Sequence, residues 1–217
     1  MQYLPLYDLI LPMINLHNQD CMEAMAGMKE KEFQLSICDP PYGIGVNHNM
    51  GRRYGDKPSN YNPAVWDKEP PPVEFFVELR RVSKNQIVWG ANHFISRMPI
   101  DSPCWLQWDK GFSPDVSFAQ FEIAWTSFDR VCKTFYCISN QQNRIHPTQK
   151  PVALYHWLLD NYAKPGDRIL DTHLGSGSIA IACHDLGFDL DGYEIDKDYY
   201  DAACDRLKRH QAQGRLF

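Results

Sequence analysis

Apolar residues recur along this chain in two alternating patterns. Short runs of strand length, bounded by Gly, Pro, Asn or Asp, fall at 13–17, 33–38, 86–90, 103–108, 118–125, 168–172 and 189–193. Between them lie segments with helical spacing at 20–28, 72–82, 92–97, 151–162, 177–186 and 197–211. In the fourth of these, Leu154, Trp157, Leu158 and Tyr162 share one face. Strand and helix in alternation predict an α/β fold, a Rossmann-like, doubly wound and mostly parallel sheet of seven strands. At 217 residues the chain is long enough to bury one core without staples, so a single domain over 1–217 is expected. The stretches 43–72 and 127–145 break the alternation and are expected to be loop insertions. A structureless loop of about 30 residues is uncommon in a compact domain unless it works on a ligand or stays disordered.

Ligands of doubly wound sheets bind beyond the carboxyl ends of the strands, where the strand order reverses. Two carboxylates, Asp39 and Asp171, sit at such ends. If strand 168–172 pairs with strand 33–38, the two carboxylates share one crevice.

Asp39 opens the run Asp39-Pro40-Pro41-Tyr42, directly after Phe33 to Cys38. Two prolines fix φ and remove two backbone donors, so the run offers carbonyl oxygens, one carboxylate and one aromatic face. A planar base could donate its exocyclic amine to Asp39 and the Pro40 carbonyl while its ring stacks on Tyr42. The chemistry this predicts is group transfer onto that nitrogen.

Asp171 opens the second motif, Asp171-Thr172-His173-Leu174-Gly175-Ser176-Gly177-Ser178, a strand end followed by a glycine-rich turn and a helix start. Glu194 lies 19 residues beyond Gly175, at the end of the following strand, placed to accept hydrogen bonds from ribose hydroxyls. A third glycine is missing, His173 and Leu174 are bulky, and Asp171 would repel a pyrophosphate. A cationic nucleoside without phosphate fits these residues better than NAD. A third run, His146 to Pro151, precedes the helix at 151–162 and sets Thr148 and Lys150 before its first amides, a place suited to a carboxylate.

Together these residues resemble the amino-directed DNA methyltransferases of the β arrangement, which use S-adenosylmethionine. The resemblance covers about Ile14 to Leu207, and the order of motifs is its specific part, with the amine clamp first and the cofactor turn near the C-terminus. It implies a circularly permuted class I methyltransferase fold with Asp39, Pro40, Pro41 and Tyr42 as the catalytic residues. It also implies a cofactor site built from Asp20, Cys21, Thr148, Lys150, Asp171, His173, Leu174, Gly175, Ser176, Gly177, Ser178 and Glu194. Thr172-His173 stands where the family usually has Pro-Phe, which leaves either His173 or Leu174 to pack on the cofactor. Asp rather than Ser at the head of the clamp leans toward the N6 amine of a flipped adenine, within a restriction-modification setting. The alternatives are N4 of cytosine, an adenine in RNA, a protein glutamine amide, or a non-catalytic partner subunit that kept the fold. The resemblance also implies a possible homodimer in a bacterial or phage-encoded setting.

The net charge of −5 is unexpected for a protein that meets phosphates. Its distribution alters that picture, since residues 160–205 hold eleven acids and three bases, a net of −8, and the remainder sums to +3. DNA contacts are therefore expected from the two insertions, through Asn47, His48, Arg52, Arg53 and Lys57 in the first and Arg130, Lys133, Gln141, Asn143 and Arg144 in the second. Duplex DNA with a flipped base is the expected partner. No run of 18 apolar residues and no leader pattern occur, so a cytoplasmic location without a membrane span is expected. Seven scattered cysteines without a C-x-x-C pair predict neither a disulfide frame nor a metal site. Cys38 reads as a buried thiol rather than a nucleophile.

Overall fold

The computed structural model describes residues 11–45, 67–98, 100–112, 119–138 and 144–213. Within them the order of elements is β1 (Ile14–Asn18), α1 (Cys21–Ala26), β2 (Phe33–Cys38), α2 (Val73–Val82), β3 (Ser83–Trp89), β4 (Trp105–Asp109), β5 (Phe121–Thr126), β6 (Lys133–Tyr136), α3 (Val152–Tyr162), β7 (Arg168–Asp171), α4 (Ser178–Leu186), β8 (Asp189–Glu194) and α5 (Lys197–Ala212). Eight strands form one sheet in the order β1-β8-β7-β2-β3-β5-β4-β6, so the expectation of seven is corrected by one. The extra strand is β6. Its four residues are mostly exposed, show no apolar alternation, and lie inside the segment expected to be an irregular insertion.

All pairings are parallel except those of β5, which runs against β3 and β4. The chain moves outward from β2 to β3 on one side and from β7 to β8 on the other, so the order reverses between β2 and β7. Those two strands pair directly, Leu35 with Ile169 and Ser36 with Leu170. The carboxyl ends of β2 and β7 are thus adjacent at the switch point, where a crevice forms. Because β5 is antiparallel, its first residues lie at this same end, with Glu122 opposite Trp108 of β4.

Side chains of successive strand residues point to opposite faces, and two cores follow. Ile87, Trp89 and Ile169 pack toward α3, α4 and α5, while Val88, Leu170 and Trp125 pack toward α1 and α2. In α2 the buried residues are Phe75, Phe76, Leu79 and Val82, one stripe of an amphipathic helix. In α3 Leu154, Tyr155, Leu158, Leu159 and Tyr162 are buried, whereas Trp157 is only partly so.

Two boundaries differ for identifiable reasons. β3 starts at Ser83 rather than 86 because α2 passes straight into it: the Ser83 hydroxyl donates to Leu79 O at 2.5 Å and Gln86 Nε2 to Ser83 O at 2.9 Å, so the polar start is internally satisfied. The segment expected as a helix at 92–97 is two 3₁₀ turns, Ala91–His93 and Ile95–Arg97, either side of buried Phe94. Among the described residues no helix is long and apolar enough to cross a membrane.

Candidate functional site

At the end of β2 the chain turns at Pro40-Pro41 and is pinned by Asp67, whose Oδ1 accepts from Tyr42 N at 2.8 Å and Gly43 N at 2.9 Å. The Tyr42 ring lies against Gly90, which follows β3. A Cβ built on Gly90 would stand 2.0 Å from Tyr42 Cε1, and Gly90 has φ 71°, so both the close approach and the left-handed backbone require glycine there. His93 stacks on the same ring at 5.0 Å between centroids.

The polar edge of the clamp is a network of four charges. Asp39 Oδ1 accepts from the Tyr42 hydroxyl at 2.8 Å, and Asp39 Oδ2 pairs with Lys150 Nζ at 2.5 Å. Lys150 Nζ also meets Glu122 Oε2 at 3.0 Å, and Glu122 Oε1 meets Lys110 Nζ from the end of β4 at 2.5 Å. The sheet order explains the alignment, since β2, β3, β5 and β4 are successive neighbours. Lys150 lies over the rings of Trp89 and Tyr42, 5.5 and 5.7 Å from their centroids. Burial alone would raise Glu122, but the two ammonium groups overcome it and bring the carboxyl to about 2. Burial raises Asp39, and the pull of Lys150 offsets that only in part, with Glu122 adding to the rise. Lys150 stays above its usual value, because its two carboxylates outweigh the burial that disfavours its charge.

Across the switch point, residues 19–21, 172–173 and 193–195 line a cavity at the ends of β1, β7 and β8. Asp20 caps α1, its Oδ1 accepting from Met22 N at 2.7 Å and Glu23 N at 3.1 Å. Glu194 accepts from Gly175 N at 2.8 Å and from Asp196 N at 2.9 Å, one bond to each oxygen, which fixes the carboxylate while leaving lone pairs toward the cavity. Asp171 Oδ1 accepts from His173 N at 3.0 Å. Burial pushes Asp171 up to about 8, against the opposing His173 N–H and with Asp39 and Glu194 adding to the rise. Burial likewise raises Glu194. It lowers His173 to about 4, so this lining side chain is neutral. The lining contains two carboxylates and neither Lys nor Arg, which suits a cationic nucleoside and would repel a phosphate.

The residues expected from sequence fall into three groups. Asp39, Pro40, Pro41 and Tyr42 stand together at one side of the crevice, and Asp20, Cys21, Asp171, His173 and Glu194 at the other. Leu174, Ser176 and Ser178 are buried supports. The Leu174 backbone N donates to Tyr193 O, and the Ser178 hydroxyl donates to Lys150 O at 2.7 Å. Arg206 of α5 donates to Ser176 O and Ser178 Oγ, both at 2.8 Å. Gly177 has φ 69° and its virtual Cβ would come within 3.1 Å of Ala203, so the turn is pressed onto α5. Thr148 turns inward, its backbone N and hydroxyl both meeting His146 Nδ1. Lys150 Nζ reaches the clamp, where it pairs with Asp39 and Glu122. The helix start was legible; the direction of the side chain was not.

Two of the nucleic-acid candidates are also displaced. Lys133 begins β6, in register with Leu106, at the amino ends of the parallel strands and so far from the crevice. Its Nζ donates to Asn161 Oδ1 at 2.9 Å, and Arg130 donates to Asn161 O at 2.7 Å, which ties both to the end of α3. Arg144 is partly buried just ahead of the His146 turn. Asn47, His48, Arg52, Arg53, Lys57, Gln141 and Asn143 lie outside the described residues. Glu122, Lys110, Asp67 and Gly90 belong to the site and have no local sequence signal. Cys38 is buried, its thiol pushed up to about 12 by burial first and Asp171 second, which makes it a poor nucleophile.

Known proteins resemble this chain along its length. A family model described as DNA methylase matches residues 120–205. The type II methyltransferase M.HpaI of Haemophilus parainfluenzae is 39% identical over 87% of this chain and 72% of its own length. The putative methylase YubD of Escherichia coli K12 is 25% identical over 87% of both chains. Among solved structures, an M1.HpyAVI–SAM complex superposes with a TM-score of 0.60 at 21% identity, covering 90% of this chain and all of that one. The PvuII DNA methyltransferase, described as cytosine-N4-specific, gives a TM-score of 0.60 at 11% identity over 94% of both chains. At these identities the two structures establish the fold, a class I methyltransferase sheet.

Proposed function

The chain belongs to the N6/N4 DNA methylase family, and from that premise we propose that it methylates the N6 amine of an adenine flipped out of duplex DNA, using S-adenosylmethionine. The carrying observation is the adjacency of an acceptor clamp, Asp39 with Tyr42, to a cation-compatible nucleoside cavity across the β2–β7 junction.

Glu194 and Asp20 would hold the adenosyl end of the cofactor, with the buried Asp171 beside them as a carboxylate compatible with its positive charge. Bound S-adenosylmethionine supplies a methyl group already activated by a sulfonium. The protein's own work is positioning and charge. Tyr42 offers its ring to the base, with its hydroxyl anchored on Asp39 so that the ring plane is fixed. Asp39 and the Pro40 carbonyl would accept from the exocyclic N–H groups, which orients the amine and leaves its lone pair free for the transfer. Orientation of this kind, with a carboxylate facing the positive charge that develops on the amine, accounts for most of the rate. Asp at the head of the clamp favours adenine over cytosine.

The test is incubation with methyl-labelled S-adenosylmethionine and, separately, duplex DNA, single-stranded DNA, RNA and protein, followed by nucleoside mass spectrometry. N6-methyladenine in duplex DNA is expected. Label recovered as N4-methylcytosine would overturn the choice of base, and label in RNA or protein the choice of substrate.

A further inference from the structure

Lys150 is a deeply buried cation of the crevice, 3% exposed in its side chain. Its three N–H bonds are all accounted for, by Asp39 Oδ2 at 2.5 Å, Glu122 Oε2 at 3.0 Å and the Tyr42 hydroxyl at 3.3 Å. Asp39 and Tyr42 belong to the clamp, whereas Glu122 comes from the antiparallel strand β5, accepts from the Tyr42 hydroxyl at 3.2 Å, and is not among the residues lining the cofactor cavity. A buried ammonium in contact with one carboxylate alone would hold that carboxylate's charge tightly and lower its power to attract anything else. Here the ammonium is divided between two carboxylates. Lys110 completes the arrangement from β4, holding the outer oxygen of Glu122 so that its inner oxygen stays turned toward Lys150.

We infer that Glu122 is a positioning residue for methyl transfer: by drawing the Lys150 ammonium partly to itself, it leaves Asp39 a strong acceptor for the substrate amine. The inference rests on the reading of Asp39 as the amine's acceptor. In the transfer the amine nitrogen gains the methyl, the electron pair of the broken S–C bond returns to sulfur, and the N–H proton facing Asp39 is the one that carboxylate can take. A carboxylate fully neutralised by Lys150 could take it less readily.

The charged and titratable groups facing Asp39 are Lys150 from the segment before α3, Glu122 from β5, Tyr42 from its own loop, Asp171 from β7, and Tyr155 from α3. Removing the charge of Glu122 takes away a like charge and releases Lys150 to Asp39. Both changes favour the ionised form of Asp39 and make it less basic. Removing Lys110 does the opposite, because Glu122 then draws more strongly on Lys150 and a positive charge is lost from the network.

The experiment measures kcat against pH with duplex DNA, together with the dissociation constant for S-adenosylmethionine, for E122Q, E122D and K110M. The acid limb of kcat reports ionisation of the acceptor in the ternary complex. For E122Q the expected result is a kcat at least roughly tenfold lower, with the acid limb moved to lower pH by on the order of one unit and cofactor affinity unchanged. E122D keeps the charge and should return the limb to its wild-type position. K110M should move it to higher pH. An acid limb that stays in place in E122Q, or a wild-type kcat in that variant, overturns the inference. If E122Q loses cofactor binding through misfolding, K110M decides, and a limb unmoved or moved downward there overturns it as well. Full activity in D39A would instead sink the reading of Asp39 itself, so the two failures are distinct.

Discussion

On the β2–β3–β5 side of the crevice Asp39 and Glu122 are held by side chains, the ammonium groups of Lys150 and Lys110, whereas on the β7–β8–β1 side Asp171, Glu194 and Asp20 are held by backbone N–H groups. The first arrangement is balanced, two carboxylates against two ammonium groups. The second is acidic, with no cation among the side chains lining its cavity, and both Asp171 and Glu194 sit above the usual carboxylate range. A balanced site suits a neutral base that must be oriented, and a cavity lined by carboxylates without a cation suits a ligand that brings its own positive charge. The difference teaches that the crevice has one half complete in itself and one half whose electrostatics a cationic ligand completes.

The largest expected effect breaks the clamp half alone. Asp39→Ala removes the amine's charged acceptor and leaves Lys150 with one buried partner fewer. Transfer should fall by roughly a hundredfold to a thousandfold or more, while S-adenosylmethionine binds as before in calorimetry. Loss of cofactor affinity in that variant would show that the two halves are not separable. The converse substitution, Glu194→Ala, acts on the other half, removing the acceptor of Gly175 N and Asp196 N as well as the ribose contact. A weakening of cofactor binding by about tenfold to a hundredfold is expected, from the loss of charged hydrogen bonds. Turnover at saturating cofactor should be much less affected than in Asp39→Ala. Equal loss of kcat in the two variants would remove the distinction.

The two halves also differ in how far the sequence exposed them. Asp171 to Ser178 and Glu194 lie within 24 residues of one another on a strand, a turn and the next strand, so their meeting follows from local chain geometry. The Asp39 clamp was legible for the same reason. Its charge partners were not, because Glu122 and Lys150 reach it from 83 and 111 residues away, Glu122 through the neighbouring of β2, β3 and β5, and Lys150 from the segment ahead of α3, whose carbonyl is held by the Ser178 hydroxyl. Lys150 was visible as a residue before a helix, which by local rules points to an anion at the helix N-terminus; only the folded contacts show that the nearer anions are Asp39 and Glu122. The placement of Arg130 and Lys133 was hidden for a related reason. Basic residues in a stretch without apolar alternation read as a DNA-facing loop, whereas an edge strand in register with β4 carries them to the opposite end of the sheet. Twelve of the thirteen predicted strands and helices were placed to within a few residues, because each carries an apolar stripe; the thirteenth, around Phe94, was too short to be a true helix.

A smaller effect sharpens the picture of the clamp as a fixed platform. Gly90→Ala sets a methyl group 2.0 Å from Tyr42 Cε1 and forces alanine to adopt φ 71°. The left-handed backbone alone costs about 1–2 kcal/mol, and the ring must shift as well. The variant should unfold several degrees lower, with a reduced kcat and near-normal cofactor affinity. If the crevice's two halves were one rigid unit, cofactor binding would fall in parallel.

The smallest expected effect concerns the acidity of the cofactor half and can be read without any substrate. Asp171 is 2% exposed and its carboxyl is raised, chiefly by burial, to about 8. In the unfolded chain the same group titrates near 3.8. Between these values the folded protein holds a proton that the unfolded chain has released, so the stability contributed by this group is full below about pH 4 and is lost as the pH rises through 8. Asp171→Asn keeps the acceptor for His173 N and removes the titration. In the cofactor-free protein its Tm should therefore exceed that of the wild type by a few degrees at pH 8, with the gain shrinking toward pH 4. S-adenosylmethionine should reverse the order at pH 8, since its positive charge favours the ionised Asp171 of the wild type and finds none in Asn, and its binding to the wild type should release a proton. A Tm difference between the two proteins that is independent of pH would mean that Asp171 is already ionised in the free crevice, and that the cavity is acidic in charge as well as in composition before any ligand arrives.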